Sequence, residues 1–408
     1  MTDFQKLYDF GNLYRAYRKA RQLKRSKYSV MKFEANLLEQ INQISEELKS
    51  GQYIFSPYHT FKVFEPKERD VMANSFRDKV VQHSLCDNII EAKFTPHFIL
   101  DNYAGQQTKG TDFGLKRLEE YMRSYFFSRK AKTDAERKAA GLPPLPTEQG
   151  NYADGWVLKC DIRKYFYSIP HEPLKVTVRK YLDDPDILRI VDTIIDSTPS
   201  PGIPIGNQTS QWFAVAYLNG LDHFIKEKLR IRYYGRYMDD FFLICEDKQY
   251  LKYCRAEIER FVGELGLELN EKTNIFPLRN GIDFLGFHTY LTDTGRVIRK
   301  VRRNSKEKAK RKMRGQRKRL DRGEITLKQP EDSYQAWRSH AMRGNCYNLT
   351  QKTDELFNRI FKESVKWRKK SAPLQTAVSS KTPRPPTTAS PSFGKLPTKI
   401  TADILLTV

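Results

Sequence analysis

The stretch IRYYGRYMDDFFLICED, residues 231–247, constrains the fold more than any other. Two runs rich in aromatic and aliphatic residues flank a pair of aspartates, which reads as an apolar hairpin with Asp239 and Asp240 at its tip. A second apolar run, GWVLKCD, reads as a strand that ends on Asp161. Side by side on one sheet, these strands bring three carboxylates together. Such a cluster repels itself unless cations neutralise it, and hard oxygen ligands suit Mg²⁺. In phosphoryl transfer two such ions, about 3.5 to 4 Å apart, activate the attacking hydroxyl and stabilise the leaving oxygen. Aspartate pairs are also frequent in turns, where the side chain bonds its own backbone, so the pair alone does not decide.

Charge points the same way. The 408 residues hold 72 Lys and Arg against 49 Asp and Glu, a formal net charge of +23 that favours a polyanionic partner, nucleic acid first. From Arg299 to Arg322, fourteen of twenty-four residues are Lys or Arg, a density that favours phosphate contact over a merely solvated face. An anionic membrane is the rival, but no apolar run approaches the length of a spanning helix and the N-terminus lacks a signal-peptide core, so a soluble, cytoplasmic protein is expected. The five cysteines (Cys86, Cys160, Cys245, Cys254, Cys346) are widely spaced with no CxxC pair, and read as small buried hydrophobes.

The remaining periodicities give an α+β chain of two or three units. Phe33, Leu37, Ile41, Ile44 and Leu48 recur at helical spacing, with Gly51 placed to stop the run. YHTFKVFEPKERDVMANSF reads as a β-hairpin and VVQHSLCDNIIEAKF as a helix. Residues 128–154 turn polar, with three prolines and no apolar period, and read as a surface insertion. Helices follow around HEPLKVTVRKYL, WFAVAYLNGLDHFIKEKL and KYCRAEIERFVGELG, then two short strands, LELNEKTNIF and GIDFLGFHTYL. Helical segments rich in aromatics follow the basic run, and beyond about Ser371 a Ser/Thr/Pro-rich tail reads as flexible.

LKCDIRKYFYSIPH, GIPIGNQTSQ, RYMDDFFLI, LELNEKT and GIDFLGF occur in this order and at separations that resemble the reverse transcriptase family. The resemblance covers roughly Phe61 to Phe287 and extends more loosely over the basic segment. It implies a right-hand polymerase with an antiparallel palm sheet carrying the YMDD hairpin. On that layout a helical extension (1–51) precedes fingers (52–154), a palm (155–294), a basic helical thumb (295–370) and the tail (371–408). It also implies that Asp161, Asp239 and Asp240 are catalytic and bind two Mg²⁺ ions, with Mn²⁺ as a substitute and the backbone carbonyl of Ile162 as a further ligand. Phe166 matches the aromatic gate under the sugar, where a ring fills the space of a 2′-hydroxyl. Lys67 and Arg69 match the fingers cations that neutralise the triphosphate, and Lys272 a lysine near the leaving pyrophosphate. Leu285 and Gly286, in DFLGF, match the hairpin that grips the primer end. Arg77 and Asp78 read as a structural pair.

In most reverse transcriptases that this chain resembles, glutamine precedes the glycine of the loop and proline follows its serine. Here those positions hold Ile205, before Gly206, and Gln211. An isoleucine cannot hydrogen-bond the incoming nucleotide, so discrimination between right and wrong nucleotides is expected to fall. The pattern is similar to that of the reverse transcriptases of diversity-generating retroelements. That likeness implies a bacterial or phage source, mutagenic copying of a template RNA into cDNA with errors at adenine, and a small basic oligomeric accessory protein. A phage-defence reverse transcriptase and an RNA-binding, splicing-assisting protein with a polymerase-like fold are the alternatives, and intact aspartates weigh against the latter. No HExxH, no glycine-rich phosphate loop and no metal-spaced Cys/His cluster occurs, so no integrated nuclease or protease is expected.

Overall fold

The computed structural model of the protein describes residues 1–64 and 68–361. Within these the chain forms two compact units, divided between Arg302 and Arg303.

The first unit opens with helices α1 (Asp3–Tyr8), α2 (Phe10–Ala20), α3 (Tyr28–Ala35) and α4 (Leu37–Lys49). Ile41, Ile44 and Leu48 turn into the core as their spacing requires, together with Phe33. An antiparallel hairpin follows, β1 (His59–Val63) on β2 (Arg69–Ala73). The next helix, α5 (Phe76–Leu85), begins where Ser75 Oγ accepts from the Asp78 N–H at 3.1 Å. It continues through a π-turn over Cys86–Ile90 into α6 (Glu91–Phe94). Arg77 and Asp78, expected as a pair, each have other partners. Asp78 is buried and accepts from Tyr53, Ser56 and Ser75, while Arg77 pairs with Glu47 at 2.7 Å.

Helix α7 (Thr111–Ala139) differs from the expected insertion at 128–154, because its 29 residues run well into that polar stretch. SRKAKTDAERKA holds no proline or glycine and is built of good helix formers, and Lys130 pairs with Asp134 one turn on at 2.6 Å. An amphipathic stripe is unnecessary where a helix has already nucleated on its buried half.

Four strands build the central sheet in the order β4–β5–β3–β6: β3 (Trp156–Asp161), β4 (Tyr233–Tyr237), β5 (Asp240–Cys245) and β6 (Asn274–Pro277), with antiparallel pairing throughout. Both faces are covered, which is why these strands read as continuous apolar runs rather than alternating ones. Leu158, Cys160, Phe241 and Leu243 face one core. That core includes the helices α8 (Tyr165–Ser168), α9 (His171–Val178), α10 (Pro185–Ile195), α11 (Gln208–Tyr217), α12 (Asn219–His223) and α13 (Lys248–Glu264). Val157, Phe242 and Ile244 face a second core with Tyr121, Met122, Tyr125 and Phe126 of α7.

GIDFLGFHTYL, expected as one strand, is two: β7 (Ile282–Phe284) and β8 (Phe287–Leu291) form a hairpin that β9 (Val297–Val301) completes as a third strand. Leu285 and Gly286 make the two-residue turn with φ of 48° and 86°, the left-handed pair that suits the twist of a hairpin. Because β9 belongs to this sheet, the basic segment starts its own unit at Arg303 rather than at Gly295.

The second unit holds α14 (Arg303–Asp321), α15 (Lys328–Ala341) and α16 (Tyr347–Phe361) around Met313, Tyr334, Phe357 and Phe361. The Tyr334 and Phe357 rings stack at 4.7 Å, and Arg338 Nε donates to Asp354 at 2.8 Å. The tail expected at 371–408 lies outside the described residues. Among the described residues no helix is long and apolar enough to cross a membrane.

Candidate active site

Register decides what the three aspartates do. Asp161, the last residue of β3, lies directly opposite Asp240, the first of β5, so both carboxylates leave the same face of the sheet. Asp239 occupies the β4–β5 turn, and its carbonyl accepts from the Ile162 N–H at 3.2 Å. Met238 supplies the left-handed residue of that turn, at φ 54°. Burial first, and then the charge of Asp161, push the Asp239 carboxyl up to about 6, while Arg69 and Lys159 pull it back. Arg69 is exposed on the β1–β2 hairpin. Lys67, expected beside it, lies outside the described residues.

Lys159 was not foreseen. It precedes Asp161 by two residues and so shares its face of β3, where its ammonium lies 5.2 Å from the centre of the Phe284 ring and pairs with the Asp240 carboxylate. Burial lowers its pKa to about 8. Among the described residues no group of three or more Asp, Glu, His or Cys side chains is placed to hold a metal ion. Asp240 pairs with Lys159, and Asp161 and Asp239 are the other two carboxylates at this edge of the sheet. That pair fits a hard divalent cation, since two close carboxylates, one of them disfavoured as an anion by burial, gain most from an added positive charge.

The turn is held from behind by a buried network. Arg236 and Asp222 pair with both side chains fully buried. Arg236 Nε donates to Asp222 at 2.7 Å and its Nη1 to the Met238 carbonyl at 2.9 Å, and Tyr234 Oη donates to Asp222 at 2.6 Å. The sequence signal was a lone arginine inside an apolar strand and a lone aspartate inside an apolar helix.

The loop Gly202–Gln211 bridges two elements around the aspartates. At one end the Ile203 N–H donates to the Phe166 carbonyl at 2.8 Å. Phe166 is half-buried and lies against Tyr165, the rings 5.8 Å apart. At the other end the Met72 N–H of β2 donates to the Ile205 carbonyl at 3.0 Å. Gly206 adopts φ 118°, and a Cβ there would stand 3.1 Å from the Met72 carbonyl oxygen. The glycine is therefore needed for approach to the hairpin strand, a reason the sequence did not reveal. Ile205 is half-buried, and Gln211 is half-buried on the first turn of α11. Asn207, the N-cap, donates to Tyr58 Oη at 2.9 Å.

Lys272 is exposed on an Asx turn in which its N–H donates to Asn270 Oδ1, and the Asn270 N–H donates to the Asp161 carbonyl at 2.7 Å. Leu285 packs towards α7, where a Cβ on Gly114 would meet it at 2.9 Å, and Phe284 brings the hairpin beside Lys159.

Residues 119–289 match the family model described as reverse transcriptase (RNA-dependent DNA polymerase). The chain is 22% identical over 303 residues to Protein YkfC of Escherichia coli (strain K12), covering 62% of this chain and 72% of that protein. Among solved structures it is similar to apo telomerase from Candida tropicalis (TM-score 0.36, 12% identity, 62% of this chain and 49% of that one). It is also similar to telomerase from Candida albicans in complex with a fragment of telomeric RNA (TM-score 0.41, 10% identity, 65% and 51%). The chain thus spans about half the length of these telomerases. On the family match, with antiparallel strands bringing Asp161, Asp239 and Asp240 to one edge of the sheet, residues 119–289 are similar to the reverse transcriptase family and carry the domain of an RNA-directed DNA polymerase.

Proposed function

We propose that the chain copies a template RNA into cDNA with reduced fidelity at template adenines, as a diversifying reverse transcriptase of a bacterial or phage-infected cell. The observation that carries this reading is Ile205. Its carbonyl accepts from β2 and its loop is bonded to the Phe166 turn, which supports reading Ile205 as part of the nucleotide pocket. An apolar branched side chain in that pocket offers no hydrogen bond by which a correctly paired nucleotide is preferred.

In the reaction a primer 3′-oxygen bonds to the α-phosphorus of a deoxynucleoside triphosphate, the bond to the β-phosphate bridging oxygen breaks, and pyrophosphate leaves. Asp161 and Asp239 would hold the divalent ion, with the Ile162 carbonyl as a further ligand; when bound, Mg²⁺ supplies positive charge to the attacking and leaving oxygens. Arg69 would neutralise the triphosphate, a role the resemblance also gives Lys67, and Lys272 would serve as the proton donor to pyrophosphate. Phe166 excludes a 2′-hydroxyl, Leu285 and Gly286 position the primer end, and the basic helix α14 contacts phosphates without reading sequence. A small basic oligomeric accessory protein and a cytoplasmic location go with this reading.

The test is to sequence cDNA made on an adenine-containing RNA, with and without an accessory protein from the same locus. Errors concentrated opposite adenine, reduced by Ile205→Gln with Gln211→Pro, support the reading. Accurate copying in both conditions removes it, and synthesis without a template favours the phage-defence alternative.

A further inference from the structure

His171 is a buried, titratable side chain with no part in the chemistry proposed above. It opens α9, where its own N–H donates to Ser200 Oγ at 3.3 Å, and its ring reaches the turn that leads from α10 into the Gly202–Gln211 loop. Nε2 lies 2.8 Å from the Gly202 carbonyl, which can only accept, so this nitrogen carries a proton and donates it. Nδ1 lies 3.2 Å from Asp196 Oδ1. Asp196 caps the end of α10 and is also held by Lys175, one turn after His171 on α9, at 2.8 Å. Burial raises the Asp196 carboxyl, but the hydrogen bonds of Lys175 and then of His171 outweigh it and bring the carboxyl below its ordinary range. The carboxylate thus orients the ring from one side while Nε2 faces the loop.

The carbonyl that His171 holds also accepts from Thr198 Oγ1 at 2.9 Å, and the Gly202 N–H donates to the Ile169 carbonyl at 2.9 Å. Gly202 adopts φ 129°, and a Cβ there would stand 3.2 Å from the Tyr167 carbonyl oxygen, so the first residue of the loop lies against the chain that carries Phe166. The next residue, Ile203, donates to the Phe166 carbonyl. A hold on Gly202 is therefore a hold on the backbone of Phe166. The far end of the loop is held by other groups, the Met72 N–H on the Ile205 carbonyl and Asn207 on Tyr58, which confines the influence of His171 to the Gly202 end.

We propose that His171 is a positioning residue for sugar selection: through Nε2 it fixes Gly202 and, by way of the bond from Ile203 to Phe166, the setting of the Phe166 ring, a role that rests on reading Phe166 as the sugar gate. His171 itself touches no substrate. A ring that discriminates by filling the space of one hydroxyl depends on placement to well within the size of that hydroxyl, and the backbone bonds supply the placement.

The test is hydrogen exchange and single-nucleotide incorporation by the full chain carrying His171→Leu, which keeps the bulk and loses both ring nitrogens, or His171→Gln, whose amide nitrogen stands near the place of Nε2. In His171→Leu the amides of Gly202 and Ile203 are expected to exchange roughly tenfold faster, the worth of one hydrogen bond, while the amides of α11 keep the parental rate. The ratio of kcat/KM for a deoxynucleotide to that for the matching ribonucleotide is expected to fall roughly fivefold in His171→Leu and to stay within about twofold of the parent in His171→Gln. The fraction of enzyme that is folded cancels from this ratio, so a merely destabilised variant leaves it unchanged. Parental exchange at Gly202 and Ile203 in His171→Leu, or a loss in His171→Gln equal to that in His171→Leu, overturns the proposal. Phe166→Val separates this inference from the reading beneath it. A ratio moved by Phe166→Val but not by His171→Leu overturns the role of His171 alone, and a ratio moved by neither overturns the sugar gate as well. Should His171→Leu fail to fold, Thr198→Val, which takes the other side-chain donor from the same carbonyl, is expected to shift exchange and ratio in the same directions, and parental values of both overturn the proposal.

Discussion

Arg236 and Asp222 form an ion pair with no solvent exposure on either side chain, and the same guanidinium donates to the carbonyl of Met238, the residue before the two turn aspartates. The turn that carries the candidate site is thus held from inside the protein. A buried pair of this kind is weak evidence for stability as such, but breaking it strands a charge. Asp222→Asn or Arg236→Leu alone is expected to cost about 3–5 kcal/mol in chemical denaturation followed by tryptophan fluorescence. The double substitution is expected to cost less than the sum of the two. Strict additivity would show that the pair does not act as a unit.

Gly206→Ala tests the contact between loop and hairpin. The residue would have to hold φ 118° with its Cβ 3.1 Å from the Met72 carbonyl. A penalty of about 1–3 kcal/mol is expected, through strain or through a shift of β2 away from the loop. Steady-state kinetics should show KM for the nucleotide rising, because Arg69 moves with β2. An unchanged KM together with unchanged stability would mean that the loop and the hairpin are not coupled.

The raised Asp239 carboxyl gives a pH signature in chelator. Its folded pKa of about 6 lies above the ordinary 3.8, so between those values the folded chain binds more protons than the unfolded one, and stability falls as pH rises through that window. Asp239→Asn abolishes this contribution. The variant should gain melting temperature relative to the parent as pH goes from the lower to the upper value, by an amount worth roughly 1–2 kcal/mol after discounting for partial solvation. A difference that is constant across the window would show that Asp239 is not perturbed.

How far the sequence could be read depended on whether a feature is local. The YMDD hairpin, the strand ending at Asp161 and the β1–β2 hairpin are each carried by short apolar runs with turn residues between them, and all three form. The helical continuation of Ser128–Ala139 was not legible because its polar face hides the period, although its composition is that of a helix. Lys159 and Asp240 belong to different strands, and their contact follows only once Asp161 is known to stand opposite Asp240. Arg236 and Asp222 likewise meet because α12 packs against the sheet, a pairing no spacing rule reveals. Gly206 stands in the sequence only as the glycine of the loop, because the partner that demands it, Met72, is more than a hundred residues away in the chain.

The most direct measurement is primer extension on an RNA template, with deoxynucleotides and Mg²⁺, by the parent chain and by Asp161→Ala and Asp239→Ala. The parent should extend the primer with DNA complementary to the RNA, and each substitution should reduce the rate by at least about a thousandfold, some 4 kcal/mol of transition-state stabilisation. Extension by either variant at a rate near that of the parent, with circular dichroism showing both folded, would contradict the assignment of the active site.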